Sequence, residues 1–159
     1  MQTTTGLLDG RSVRLAVVHT RVNRPLVDQL VAGALEALAR GGVPEKAVEL
    51  VSVPGALELP LAARYIAEAG RADGIVALGV VLRGETLHFE LVARESTAGL
   101  IRVSLEYGIP VGMGVLACDT VEQAMNRAGL KGGNKGAEAA FAALEMVSLR
   151  KRLAEPRES

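Results

Sequence analysis

The stretch GIVALGVVLRGETLHFE, residues 74–90, constrains this chain more than any other. Ile75 to Leu82 is an almost unbroken apolar run, the pattern of a strand buried on both faces. Such a strand needs helices packed above and below it. The run breaks at Arg83-Gly84-Glu85-Thr86, and a helical pattern holding His88 and Phe89 follows at once. A strand, a glycine turn and a helix start together make an anion cradle. Free backbone N–H groups and the positive end of the helix dipole face the turn. Gly84 lets the backbone come close to a ligand. Thr86 can cap the helix or donate its hydroxyl. A histidine in the first turn, His88, brings the side chain best suited to proton exchange at neutral pH. The stretch is read as a phosphate cradle with a proton shuttle beside it.

The rest of the chain repeats this alternation. Residues 13–19 read as a buried strand, followed by a helix that Asn23 can cap, with Pro25 in its first turn. Leu26, Leu30, Ala34 and Leu38 give that helix its apolar face, and Gly41-Gly42 stops it. Residues 47–53 are a second strand. Pro54-Gly55 breaks it, and Ala56-Leu57-Glu58-Leu59-Pro60 leads into a helix through about Ala69. After the strand at 74–82, a helix runs from about Leu87 to Tyr107, with Glu90/Arg94 and Arg102/Glu106 spaced as ion pairs. Gly108 ends it. Residues 110–117 are a fourth strand. Asp119 or Thr120 starts a short helix, with Glu122 and Gln123 placed for a capping box. Asn134 starts a last, alanine-rich helix that ends in Arg150-Lys151-Arg152.

Strand and helix alternating in this way predict an α/β fold: a three-layer α/β/α sandwich around a central, mostly parallel four-stranded sheet. The expected domain spans residues 11–153. Residues 1–10 form an N-terminal arm, able to add a strand to a neighbour's sheet, and 154–159 a frayed tail. Ligands in open parallel sheets bind at the carboxyl ends of the strands. Four segments fall there: Arg21 to Asn23, Ala56 to Glu58, Arg83 to His88, and Met113 to Cys118.

Composition narrows the function. Lys plus Arg and Asp plus Glu both number 18, and aromatic residues are 3 % of the chain. A neutral balance with no stacking platform argues against nucleic-acid binding. No apolar run is long enough to span a membrane, and no basic region precedes an apolar core at the N-terminus, so no signal peptide is expected. One cysteine, Cys118, permits no intrachain disulfide, which fits a reducing, cytoplasmic setting. Two isolated histidines and one cysteine lack metal-ligand spacing, so no metal is expected.

Several side chains admit two readings. His88 is a proton-transfer group or a polar residue filling a helix start. Arg127 is a phosphate ligand, for which guanidinium is suited, or an exposed helix charge. Lys135, a cation at a helix N-terminus, opposes the dipole and favours an anionic or polar ligand nearby. Glu58 binds hydroxyls or caps the next helix. His19 reads as structural. Cys118 reads as a buried strand-end residue, although a Cys118/His88 nucleophile pair is conceivable.

Taken in order, Pro54-Gly55-Ala56-Leu57-Glu58-Leu59-Pro60, Ala77-Leu78-Gly79 into Arg83-Gly84-Glu85-Thr86-Leu87-His88-Phe89, Gly114-Val115-Leu116 with Asp119-Thr120, and Arg127-Ala128-Gly129 before Gly133-Asn134-Lys135-Gly136 resemble the 6,7-dimethyl-8-ribityllumazine synthase family. The resemblance covers about residues 11–150. It implies a flavodoxin-like fold and a transferase of riboflavin biosynthesis that needs no cofactor. The family condenses 5-amino-6-(D-ribitylamino)uracil with 3,4-dihydroxy-2-butanone 4-phosphate and releases phosphate and water.

By the same resemblance, Glu85, Thr86 and Arg127 bind the phosphate and His88 shuttles protons. Val22, Asn23, Ala56, Leu57, Glu58, Val80, Val81, Leu82, Met113 and Lys135 hold the pyrimidine and ribityl chain. Met113, Arg127 and Lys135 are then expected from a partner subunit. Self-association is implied as a pentamer or as a 60-mer of twelve pentamers, with riboflavin synthase as a further partner. Two positions depart from the family pattern. Val22 and Met113 stand where aromatic residues are usual, which weakens stacking on the pyrimidine more than it touches the catalytic groups. The rival expectation is a shell-forming or flavin-binding member without catalysis.

Overall fold

The computed structural model describes residues 1–157, so Glu158 and Ser159 of the expected tail lie outside the described residues. Four strands, β1 (Leu15–Thr20), β2 (Val48–Val53), β3 (Gly74–Leu82) and β4 (Val111–Cys118), form one sheet in the order β2-β1-β3-β4. Every pairing is parallel, so the expected mostly parallel sheet is wholly parallel. Five helices connect and flank the strands: α1 (Arg24–Arg40), α2 (Leu59–Glu68), α3 (His88–Tyr107), α4 (Val121–Arg127) and α5 (Lys135–Ala154). Short 3-10 turns at Glu45–Ala47 and Ala56–Glu58 precede β2 and α2.

Alternation along the strands sorts the core into two layers. Leu15 and Val17 of β1 join Val76, Leu78 and Val80 of β3 under α1 and α5. Ala16 and Val18 join Ile75, Ala77 and Val81 under α2 and α3. β3 from Gly74 to Val81 is buried throughout, which is why its sequence shows no polar alternation. The α/β/α sandwich read from the sequence is the one observed.

Small residues set the spacing of the α5 layer. A Cβ on Gly112 of β4 would strike the Ala139 carbonyl of α5, and one on Gly136 would strike the Leu30 carbonyl of α1. Helix α5 therefore lies with its backbone close to both neighbours. Asn134 fixes its start. The Asn134 Oδ1 accepts from the Gly136 and Ala137 N–H groups at 2.8 and 3.1 Å, and its Nδ2 donates to the Gln29 and Ala128 carbonyls at 3.0 and 3.2 Å. One side chain thus joins α1, the end of α4 and α5. Gly33 leaves room for it.

Some local expectations fail. Asn23 precedes α1 but makes no side-chain cap: its backbone is left-handed, with φ 57°, and its Nδ2 donates instead to the Val80 carbonyl at 2.9 Å. Leu87, not Thr86, is the N-cap of α3. The Thr86 hydroxyl oxygen only accepts from the His88 N–H at 3.4 Å. Among the described residues the Glu90/Arg94 and Arg102/Glu106 pairs do not form; Glu90 turns to Arg83, at 3.6 Å. The capping box expected at α4 is half made: Thr120 Oγ1 accepts from the Gln123 N–H, but Gln123 Oε1 accepts from the N–H of Asp119, one residue before the cap.

Residues 1–9 hold no regular element and touch α5. The Leu7 N–H donates to Ser148 Oγ at 2.9 Å, and Arg152 donates to the Thr5 carbonyl at 2.6 Å. Among the described residues no helix is long and apolar enough to cross a membrane.

Replacing Asn134 by Ala removes a helix cap and leaves two carbonyls without their donor. It should lower the unfolding free energy by about 2 kcal/mol, read by urea unfolding at fixed protein concentration. Asn134→Asp keeps the cap and should lose about half as much.

Candidate active site

The strand order reverses between β1 and β3, where the chain leaves β1 toward β2 and then returns past it. Crevices form at such points, beyond the strands' carboxyl ends. Here the crevice is closed at its base by the Asn23–Val80 hydrogen bond. Around it lies a groove of about 530 Å³. The β1–α1 turn supplies Val22 and Asn23, and the turn before α2 supplies Ala56, Leu57 and Glu58. The end of β3 supplies Val80, Val81 and Leu82, and the loop and α3 supply Thr86 and His88.

The floor and the rim differ. Val80, Val81 and Ala56 are buried and offer backbone groups and apolar surface. Val22 and Leu57 are half-exposed apolar side chains at the mouth. Thr86 and His88 are exposed, as is Glu85, which does not line the groove. Glu58 precedes α2 without capping it; its Oε2 lies 3.2 Å from the position a Cβ on Gly55 would take. The absence of a side chain at Gly55 keeps that carboxylate against its own turn.

A second groove, of about 510 Å³, lies beyond the free edge of β4. It holds Met113 through Cys118, Gln123, Asn126, Arg127 and Lys135. The two grooves share no residue. The phosphate-site residues expected from the sequence therefore divide: Thr86 is on one groove, Arg127 on the other. Lys135 is paired with Glu138 at 2.7 Å, so the helix dipole does not face an uncompensated cation, and the misfit read from the sequence is relieved within α5.

Sequence reasoning missed part of both linings. Phe89 and Val92 complete the first. Gln123 and Asn126 complete the second, where Asn126 Oδ1 is buried without a hydrogen-bond partner. The spacing of residues 123, 126 and 127 puts them on one face of α4, a signal that was available in the sequence. His19 lines neither groove. A larger, mostly apolar concavity of about 930 Å³ lies between α1, α4 and α5.

The sequence model of the 6,7-dimethyl-8-ribityllumazine synthase family matches residues 12–151. The chain belongs to that family. A 6,7-dimethyl-8-ribityllumazine synthase of Halorhodospira halophila is 52 % identical over 154 residues, which cover 96 % of this chain and 99 % of the relative. One of Nitratidesulfovibrio vulgaris, strain Miyazaki F, is 47 % identical over 153 residues, 96 % of this chain and 98 % of the relative. As a member of the lumazine synthase family, the protein is a transferase.

The Cys118/His88 pair considered above is not formed, since His88 lines the first groove and Cys118 the second. Burial also pushes the Cys118 thiol up from its ordinary range, against a smaller opposing pull from Arg127. A thiol so placed is protonated and slow to react. Alkylation at pH 7.5 should run at least about tenfold slower in the native protein than in urea, followed by mass spectrometry. Equal rates would return Cys118 to the list of candidate nucleophiles.

Proposed function

We propose that this chain, working in the cytoplasm, condenses 5-amino-6-(D-ribitylamino)uracil with 3,4-dihydroxy-2-butanone 4-phosphate to 6,7-dimethyl-8-ribityllumazine, and that two copies build each active site. The observation that carries the reading is the first groove, where backbone from β3, the Glu58 turn, Asn23, Thr86 and His88 meet on one concavity. The polar strand-end groups suit a ribityl chain and pyrimidine edge. The loop before α3 suits a phosphate, since its free N–H groups and the helix dipole favour an anion.

The chemistry matches these groups. Imine formation, phosphate loss and ring closure each move protons, and none transfers electrons or needs a metal. His88, at the loop, accepts and returns those protons. Holding two substrates side by side supplies much of the rate by proximity. His88 then adds about 10–100-fold, at or below the low end of acid–base contributions.

The separation of Arg127 and Lys135 from His88 supports a shared site. In this reading the second groove of one subunit closes the first groove of the next, and Met113, Arg127 and Lys135 come from the partner. The surface supports association as well. Leu91, Ile101 and Leu105 of α3, with its N-cap Leu87, form an exposed, largely apolar stripe interrupted by Arg94, with Leu105 79 % exposed. Leu61 and Tyr65 of α2 are exposed alongside it in the same layer. Such a stripe marks an interaction face. By the family resemblance, in which shell formers carry a short glycine-bearing link at this point, the link from Gly129 to Asn134 favours the closed shell of twelve pentamers over a free pentamer.

His88→Ala should lower kcat by about 10–100-fold and leave assembly intact. Arg127→Ala should raise KM for the phosphate substrate, with the pyrimidine KM little changed. Lumazine absorbance and phosphate release read both, and an inactive wild-type protein would favour the non-catalytic alternative.

Multi-angle light scattering should find a shell, since sixty chains of 16.6 kDa scatter as about 1 MDa. Particles of pentamer mass at high concentration would reject the shell, and a monomer would reject the shared site.

A further inference from the structure

We propose that Arg83 is the positioning residue of the phosphate loop, the strut that holds Thr86 and His88 over the first groove. The proposal rests on the reading of that groove as the phosphate and proton-transfer half of the active site.

The loop itself is poorly supported. Residues 84–88 are all exposed, and a Cβ on Gly84 would meet nothing within 4 Å. Its one internal side-chain tie, from the His88 N–H to Thr86 Oγ1, is long at 3.4 Å. The residue before the loop is held from several sides instead. The Arg83 N–H donates to the Cys118 carbonyl at 2.9 Å, and its Nε donates to Asp119 Oδ1 at 2.6 Å. Its Nη1 lies 3.6 Å from Glu90 Oε1, and its guanidinium carbon sits 4.6 Å from the centre of the Phe89 ring.

These contacts bracket the loop. Arg83 precedes it, while Phe89 and Glu90 follow His88 directly. One guanidinium therefore spans both ends of the segment whose conformation matters. A planar fork can donate in two directions while its face lies on a ring; an ammonium cannot do all three. The ion pairs are half-exposed, so each adds little to global stability. Their effect is on where the loop sits, and small misplacements of reacting groups are costly to rate.

Asp119 extends the strut. It adjoins Thr120, which caps α4, and α4 carries Arg127. The same contact thus ties the loop of one groove to the helix of the other within one chain.

Steady-state kinetics on the assembled protein, varying each substrate separately, tests this. Wild-type lumazine formation and its loss in His88→Ala establish the underlying reading; without them that reading fails, whatever Arg83 does. Given both, Arg83→Ala and Asp119→Ala should each lower kcat/KM for the phosphate substrate about tenfold, with the pyrimidine KM within twofold. The double variant should be no worse than Arg83→Ala, because the two act as a unit. Arg83→Lys should restore less than half of the loss. Particle mass and the urea midpoint should not move. Full activity in Arg83→Ala, a pyrimidine KM raised as much as that of the phosphate substrate, additive losses, or full rescue by Lys would each overturn the proposal while His88 kept its role. Should Arg83→Ala fail to assemble, Arg83→Lys and Asp119→Asn give the same comparison.

Discussion

Burial of β3 on both faces is the constraint from which the rest follows. From Gly74 to Val81 the strand is buried in largely apolar layers, with Thr20 beside Gly79, so an unpartnered polar side chain along it is disfavoured. Chemistry is displaced to its carboxyl end, where the backbone leaves the sheet at Leu82 and the loop carrying Thr86 begins. The neighbouring strand reinforces this. β1 ends at Thr20, and the turn after it returns Asn23 to the Val80 carbonyl. That bond satisfies a strand-end acceptor and shapes the groove floor at once. It also accounts for the left-handed backbone at Asn23, since a side chain recruited across the crevice cannot cap its own helix. Asparagine is among the few non-glycine residues that adopt this conformation readily.

The alternation of strands and helices was legible because each strand is either wholly buried or clearly interrupted. The run at 75–82, the four-residue repeat of Leu26 to Leu38, and the stops at Gly41 and Gly108 needed no tertiary information. Asn134 was legible as a cap, and its Oδ1 does cap α5. Its second task, holding Gln29 and Ala128 through Nδ2, was not, because those partners are distant in sequence or set by the fold of the loop. Surface ion pairs were the least legible feature. Glu90 has Arg94 at the favoured helical spacing, yet it faces Arg83, because the strand end brings that guanidinium over the first turn of α3. Local spacing offers partners, and tertiary placement chooses among them.

The residue pattern alone does not say which candidate residues are neighbours; the family resemblance, which expects Met113, Arg127 and Lys135 from a partner subunit, is what separates them. The carboxyl-end rule places Val22, Glu58 and His88 near one another, and the first groove gathers them. The same rule assigns Met113 to Cys118 to that end, but Met113 lies third in β4, opposite Ala77, and β4 is an edge strand. Residues beyond its free edge open onto a different concavity. Nothing in the local pattern of residues 111–135 distinguishes these cases; in the structure, the position of β4 in the sheet does.

That division also bears on symmetry. The two grooves use different residues, so a shared site pairs unlike surfaces of the two copies. Such a pairing is met either by a two-fold axis, where each groove meets the other groove of its partner, or by heterologous head-to-tail contacts. Heterologous contacts close only as rings; otherwise they run on as open filaments. The proposed pentameric ring is one closed arrangement that satisfies this site sharing. The α3 stripe suits the same arrangement, since one apolar helix face per chain, repeated about an axis, buries itself against its own copies. In such a ring the strut from Arg83 to Asp119 acquires a further consequence. It joins the loop of one proposed active site to the arginine-bearing helix of the next, beside the Arg83 N–H bond to the Cys118 carbonyl and the pairing of β3 with β4.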